Sequence, residues 1–134
     1  MAAPAKRLGE IQWSAPTPKG ESPSPRSGHT LTVAPKHAAA LLFGGCGITH
    51  QQEPSVFNEM WHLTTSEPFT WTLVDALGEV PSPRWRHTAT LLPSSDDILI
   101  FGGHCKGRRF NDTHIFNVSK REWEAKDAAG MPPH

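Results

Sequence analysis

The stretch Pro23-Ser24-Pro25-Arg26-Ser27-Gly28-His29-Thr30 returns in the same order as Pro81-Ser82-Pro83-Arg84-Trp85-Arg86-His87-Thr88. Working outward at this offset of 58, Trp13, Gly20 and Glu21 fall on Trp71, Gly78 and Glu79. On the other side Thr32, Pro35, Leu41, Phe43, Gly44 and Gly45 fall on Thr90, Pro93, Leu99, Phe101, Gly102 and Gly103. That is 15 identities over the 33 positions from 13 to 45, where ordinary residue frequencies give about two. Past the double glycine the offset drops to 53, so Phe57-Asn58-Glu59 faces Phe110-Asn111-Asp112, and then to 52, which pairs Trp71 with Trp123. The change sits in one loop: 12 residues separate Gly45 from Asn58, and 7 separate Gly103 from Asn111. Loops vary in length while the segments that pair and pack are held, so this is a repeated structural unit.

Four strand-like stretches recur in each unit, near 29–34, 39–44, 58–64 and 70–74, then near 87–92, 97–102, 111–118 and 121–125. They are short, rich in β-branched and aromatic residues, and bounded by Pro, Gly, Ser or Asp. The runs Leu41-Leu42-Phe43 and Ile98-Leu99-Ile100-Phe101 lack alternation, which predicts strands covered on both faces. Only Ala38, Ala39 and Ala40 favour a helix, and two glycines stop it. Composition agrees. Pro (13) and Gly (11) make up about 18% of the 134 residues, against roughly 12% in ordinary chains.

The balance of 13 basic and 13 acidic residues gives no net charge, which argues against a basic nucleic-acid surface. No apolar run spans a bilayer, and none follows Arg7 as a secretion signal would require. Two cysteines make no disulfide framework. The expectation is a cytoplasmic protein, with a nuclear setting left open, no membrane contact and no nucleic-acid partner.

Pro-x-Pro-Arg-x-x-His, Phe-Gly-Gly, Asn-Glu or Asn-Asp, and a fourth-strand Trp, twice in register, resemble kelch repeats of the long-linker type. The resemblance runs from Trp13 to Gly130. It implies an all-β fold, a β-propeller in which each repeat is one four-stranded blade in a ring of five to seven. The count here falls short, so the expected architecture is a partial propeller of two antiparallel kelch blades plus one N-terminal strand. Its expected division is a disordered N-terminus at 1–10, a closing strand and linker at 11–25, blade 1 at 26–75, blade 2 at 76–126, and a truncated linker to a missing blade at 127–134. Unpaired blade edges then make self-association an expectation.

Loops of such blades alternate between two ends. One end gathers 15–28, 46–57, 76–86 and 104–110; the other gathers 35–38, 65–69, 93–96 and 118–121. The first has the longer and more varied loops, and exposed Trp and Arg anchor partners frequently. Trp85, Arg86, Arg108, Arg109, Phe110 and Gln52 are therefore the candidate partner-binding residues. The repeated residues read as structural. Gly44, Gly45, Gly102 and Gly103 need positive φ or close approach, Arg26 and Arg84 bond linker carbonyls, and His29 and His87 are equivalent positions. Trp71 and Trp123 are expected to pack between blades.

Catalysis finds little support. No phosphate-loop Lys-Ser/Thr follows the glycines, and no nucleophile elbow is present. Tyr is absent, which excludes from this chain the copper–tyrosyl chemistry of some propellers. Cys46, His104 and Cys105 lack metal-ligand spacing. The reading is a non-catalytic module with no cofactor and no metal, presenting loops to a partner protein or peptide. The alternatives are the recognition part of a larger catalytic protein, such as a ubiquitin-ligase adaptor or a methyltransferase-linked kelch protein, and an enzyme within the propeller.

Overall fold

The structure, a computed structural model, describes residues 9–127. The expected disordered segment up to residue 8 and the linker beyond Asp127 lie outside those residues. The first repeat holds β1 (Arg26–Ser27), β2 (Thr30–Ala34), β3 (Ala39–Phe43), β4 (Cys46–Ile48), β5 (Pro54–Val56), β6 (Met60–Thr64) and β7 (Trp71–Leu73). The second holds β8 (Leu77–Gly78), β9 (Thr88–Leu91), β10 (Ile98–Phe101), β11 (His104–Cys105), β12 (Arg108–Arg109), β13 (Thr113–Asn117) and β14 (Glu122–Lys126). The fold is all-β: among the described residues the one helical element is a 3₁₀ turn at Pro35–His37.

Blade 1 is the antiparallel sheet β2-β3-β6-β7, and blade 2 orders β9-β10-β13-β14 in the same way. The registers repeat with the sequence. Phe43 faces Thr30 and Met60, as Phe101 faces Thr88 and Thr113. Side chains alternate across a strand, so these registers assign each residue to one of two blade faces. Leu41, Phe43 and Met60 of blade 1 pack with Ile98, Ile100, Phe116 and Trp123 of blade 2 in one core. Fully burying each such side chain is worth about 1.5–3 kcal/mol, so this junction is the main apolar contribution to the fold.

Blade 2 has a fifth strand that the sequence did not suggest. β8, the start of the linker at 76–86, runs parallel to β14. The first repeat has the same device as a single parallel bridge, Lys19 to Thr70. Gly78 sits at φ +81, where a Cβ would strike the Trp123 carbonyl. The repeated glycine is therefore a steric requirement of the clasp.

One expectation needs correction. β3 is buried along its whole length, but β10 alternates: Ile98 and Ile100 are buried while Leu99 and Phe101 are half-covered. No described sheet packs on the far side of blade 2, so the absence of alternation in the sequence overstates burial there. Residues 11–18 form no strand, and Trp13 is 90% exposed. The closing strand expected in 11–25 has no partner strand among the described residues; ladder bonds begin at Lys19, whose N–H donates to the Phe69 carbonyl at 2.7 Å.

Candidate functional site

The linkers and the loops after the double glycines meet at one end of the blades. In the first repeat β1, β4 and β5 form a small three-stranded sheet there. The 12-residue loop has room for the β4–β5 pair. The 7-residue loop closes instead as the tight β11–β12 hairpin, with Lys106 and Gly107 at positive φ.

A buried arginine supports each loop. The Arg84 side chain is 1% exposed, and its Nη1 and Nη2 donate to Asp112 Oδ1 at 2.6 Å and Oδ2 at 2.9 Å. It also donates to the carbonyls of Ser82 and Gly102, and stacks over Phe110. Arg26 repeats this more loosely, over Phe57 and with Glu59 at 3.3 Å. Burial alone would raise the Asp112 pKa, but the hydrogen bonds and charge of Arg84 outweigh it and hold the carboxyl below its usual value. A bidentate, mostly buried pair of this kind fixes the loop that follows it.

On this frame Trp85 lies flat on His104, with ring centroids 5.1 Å apart and 7° between planes. A bridge between the two residues holds the rings in place. Arg86, exposed and at φ 57, puts its guanidinium over the Trp85 ring at 4.6 Å. Arg108 reaches over Phe110 at 5.5 Å, and Arg109 is exposed beside it on β12. Next to this platform a cavity of about 330 Å³ is lined by Cys46, Gly47, Pro54, Ser55, Val56, Pro83, Cys105 and Lys106. The geometry thus joins Trp85 to Arg86, and Arg108 to Phe110. Gln52, at φ 66 in the longer loop, joins neither cluster through any contact among the described residues.

Three participants escaped the sequence reading. His104 lacks metal-ligand spacing in the sequence, yet it is the stacking partner of Trp85. Glu59 and Asp112 align in the repeat, and their pairing with the two arginines was available from that alignment. Both cysteines are free thiols on one cavity wall, since their strands leave adjacent double glycines. Among the described residues no group of three or more His, Cys, Asp or Glu side chains could hold a metal ion. No helix among them is long and apolar enough to cross a membrane.

Two sheets of one four-stranded pattern, face to face with loops gathered at one end, define a propeller-type repeat protein. Residues 7–134 match the model of the KLHDC2/KLHL20/DRC7 Kelch-repeats domain, and the chain belongs to this kelch-repeat family. Kelch-repeat domains generally act as protein-interaction scaffolds. The chain is 37% identical over 125 residues to the flagellar outer-arm dynein alpha chain of Chlamydomonas reinhardtii, covering 92% of this chain and 3% of that one. It is 31% identical over 123 residues to acyl-CoA-binding domain-containing protein 4 of Arabidopsis thaliana, covering 92% and 17%. Host cell factor 2 of Homo sapiens is 34% identical over 134 residues, covering 86% and 16%. The chain therefore spans less than a fifth of the length of these relatives. The structure of YjhT superposes with a TM-score of 0.57 at 22% identity, over 84% of this chain and 31% of that one, and shows likeness of fold alone.

Proposed function

We propose that the two blades, 26–75 and 76–126, present the loop end just described to a partner protein or peptide carrying acidic side chains. The observation that supports this most is the Trp85–His104 platform capped by Arg86 and set beside the cavity. Arg86, Lys106, Arg108 and Arg109 are all exposed around it. A chain of zero net charge thus concentrates cations at one end. A flat aromatic surface with guanidinium donors binds carboxylates and apolar side chains together. The free thiols of Cys46 and Cys105 go with a reducing cytoplasmic or nuclear setting.

A second observation favours the role of recognition part within a larger protein. The relatives are many times longer than the matched segment, and one of them is named a Rho GTPase-activating protein. The open reading frame around this sequence tests that role.

The binding face is tested by replacing Arg86 and Arg108 together with Ala and measuring capture of partner proteins by the immobilised chain. Both residues are exposed, so the melting curve should not move. Captured partners should fall at least tenfold, and binding to the native chain should weaken with salt. Undiminished capture by the double variant rejects this face.

A further inference from the structure

Each blade has two unlike faces, and the junction inside the chain shows how they fit. Blade 2 presents Ala89, Leu91, Ile98, Ile100, Phe116 and Trp123 to blade 1. The matching registers place the counterparts Leu31, Val33, Ala40, Leu42, Leu63 and Trp71 on the outer face of blade 1. No described sheet covers this face; Ala40 and Leu42 on its central strand β3 are buried all the same, and the exposed part lies on β2 and β7. Leu31 is 53% exposed, Val33 54%, and Leu73, the counterpart of Ala125, 46%. The far face of blade 2 carries Leu99, Phe101 and Thr113, the counterparts of the Leu41, Phe43 and Met60 that cover blade 2. The described residues thus leave uncovered one face with exposed apolar residues and another built on the plan of the face that covers blade 2.

The polar fastenings are duplicated as well. At the junction Thr30 Oγ1 meets His87 Nε2 at 2.9 Å. The Gly45 N–H donates to the Arg84 carbonyl, the Arg84 N–H to the Phe57 carbonyl, and Asn58 Nδ2 to the Pro81 carbonyl. The same residue types recur at the free faces: Thr88, Gly103, Phe110 and Asn111 on blade 2, and His29, Arg26 and Pro23 on blade 1.

We propose that a second copy of this chain docks the outer face of its blade 1 on the far face of blade 2, repeating the internal junction between molecules. The contact joins two different faces, so it adds copies head to tail and ends when a ring closes. Propellers close with four to eight blades, which corresponds to about two to four copies. One fastening is lost. Inside the chain the Lys36 N–H donates to Asp96 Oδ2 at 2.9 Å, but between copies Ala38 stands in the place of Asp96. The assembly is therefore weaker than the internal junction and dissociates on dilution.

Sedimentation velocity of the 134-residue chain over a range of concentrations tests this. A closed species of two to four times the chain mass, dissociating on dilution, is expected. Leu31→Glu and Thr90→Glu each place a charge on one free face at an exposed position, leaving the other face intact. Each variant alone should be monomeric, and an equal mixture should give a one-to-one dimer and nothing larger. A native chain that stays monomeric at every concentration overturns the proposal and means that the face is covered within the chain. Association that survives Leu31→Glu, or variants that do not pair when mixed, also overturns it.

Discussion

Blades 1 and 2 carry the same double glycine after the same strand, yet the two glycines face different surroundings. A Cβ at Gly44 would lie 2.7 Å from His87 Cε1 and 2.8 Å from the Arg84 carbonyl, both in blade 2. At Gly102 the nearest atom is the Phe110 carbonyl oxygen, 3.3 Å away in its own blade. The contrast recurs throughout: Phe43 is 1% exposed where Phe101 is half-covered, and His87 is buried where His29 is exposed. Sequence identity between repeats therefore specifies one sheet twice. The energy stored in each residue depends on which neighbour is there to meet it.

The tryptophans should separate the blades most. Trp123 is 1% exposed and tilts against Phe43 and Phe116, each at 4.9 Å, whereas the one ring contact of Trp71 among the described residues is the edge of Trp61 at 6.5 Å. Trp123→Ala should cost about 3–5 kcal/mol in urea unfolding. Trp71→Ala, at a half-covered site, should cost about 1–2 kcal/mol. Equal losses would mean that the junction is not where the fold is held.

A smaller gap is expected between Gly44→Ala and Gly102→Ala. Both positions have φ 68, so both variants carry the left-handed cost of about 1–2 kcal/mol. Gly44→Ala adds overpacking against His87 and Arg84, about 1–3 kcal/mol more. Matched unfolding midpoints for the two variants would show that the blades do not touch there.

Acid should expose the same asymmetry most gently. Burial first, and then the charge of Arg84, lowers the His87 pKa from 6.5 to about 4. The unfolded chain therefore binds a proton that the folded junction refuses. His87 leaves stability untouched above pH 6.5, and stability falls as pH drops from there towards 4. The slope is at most about 1.4 kcal/mol per pH unit, less where solvent screens the ring. His114 and Asp112, also lowered, act in the same sense. His87→Gln should flatten this acid limb without abolishing it; an unchanged limb would assign the effect elsewhere.

Much of this was legible in the sequence because the repeat does twice what a single copy would do ambiguously. The eight blade strands, their order and the loop that absorbs the length change all follow from aligning 23–30 with 81–88. What the alignment could not show is what lies beside a residue. Leu99 and Phe101 look as buried as Leu41 and Phe43, and Trp71 looks like Trp123, because burial is decided by a neighbouring sheet and not by the strand itself. The stacking of Trp85 on His104 was hidden for a different reason. Neither residue has a counterpart in the first repeat, where Ser27 and Cys46 stand. Chemistry that departs from the repeat is where pattern reading loses its reference.

The parallel clasp of β8 on β14 has a consequence for how such a chain can lengthen. The backbone enters a blade along the rim strand by which it later leaves, so both crossing points sit side by side at the periphery. A duplicated run of some 58 residues, cut there, would bring a whole sheet with its own fastening and disturb no ladder already made. Growth by tandem copying then requires no rethreading of the older blades.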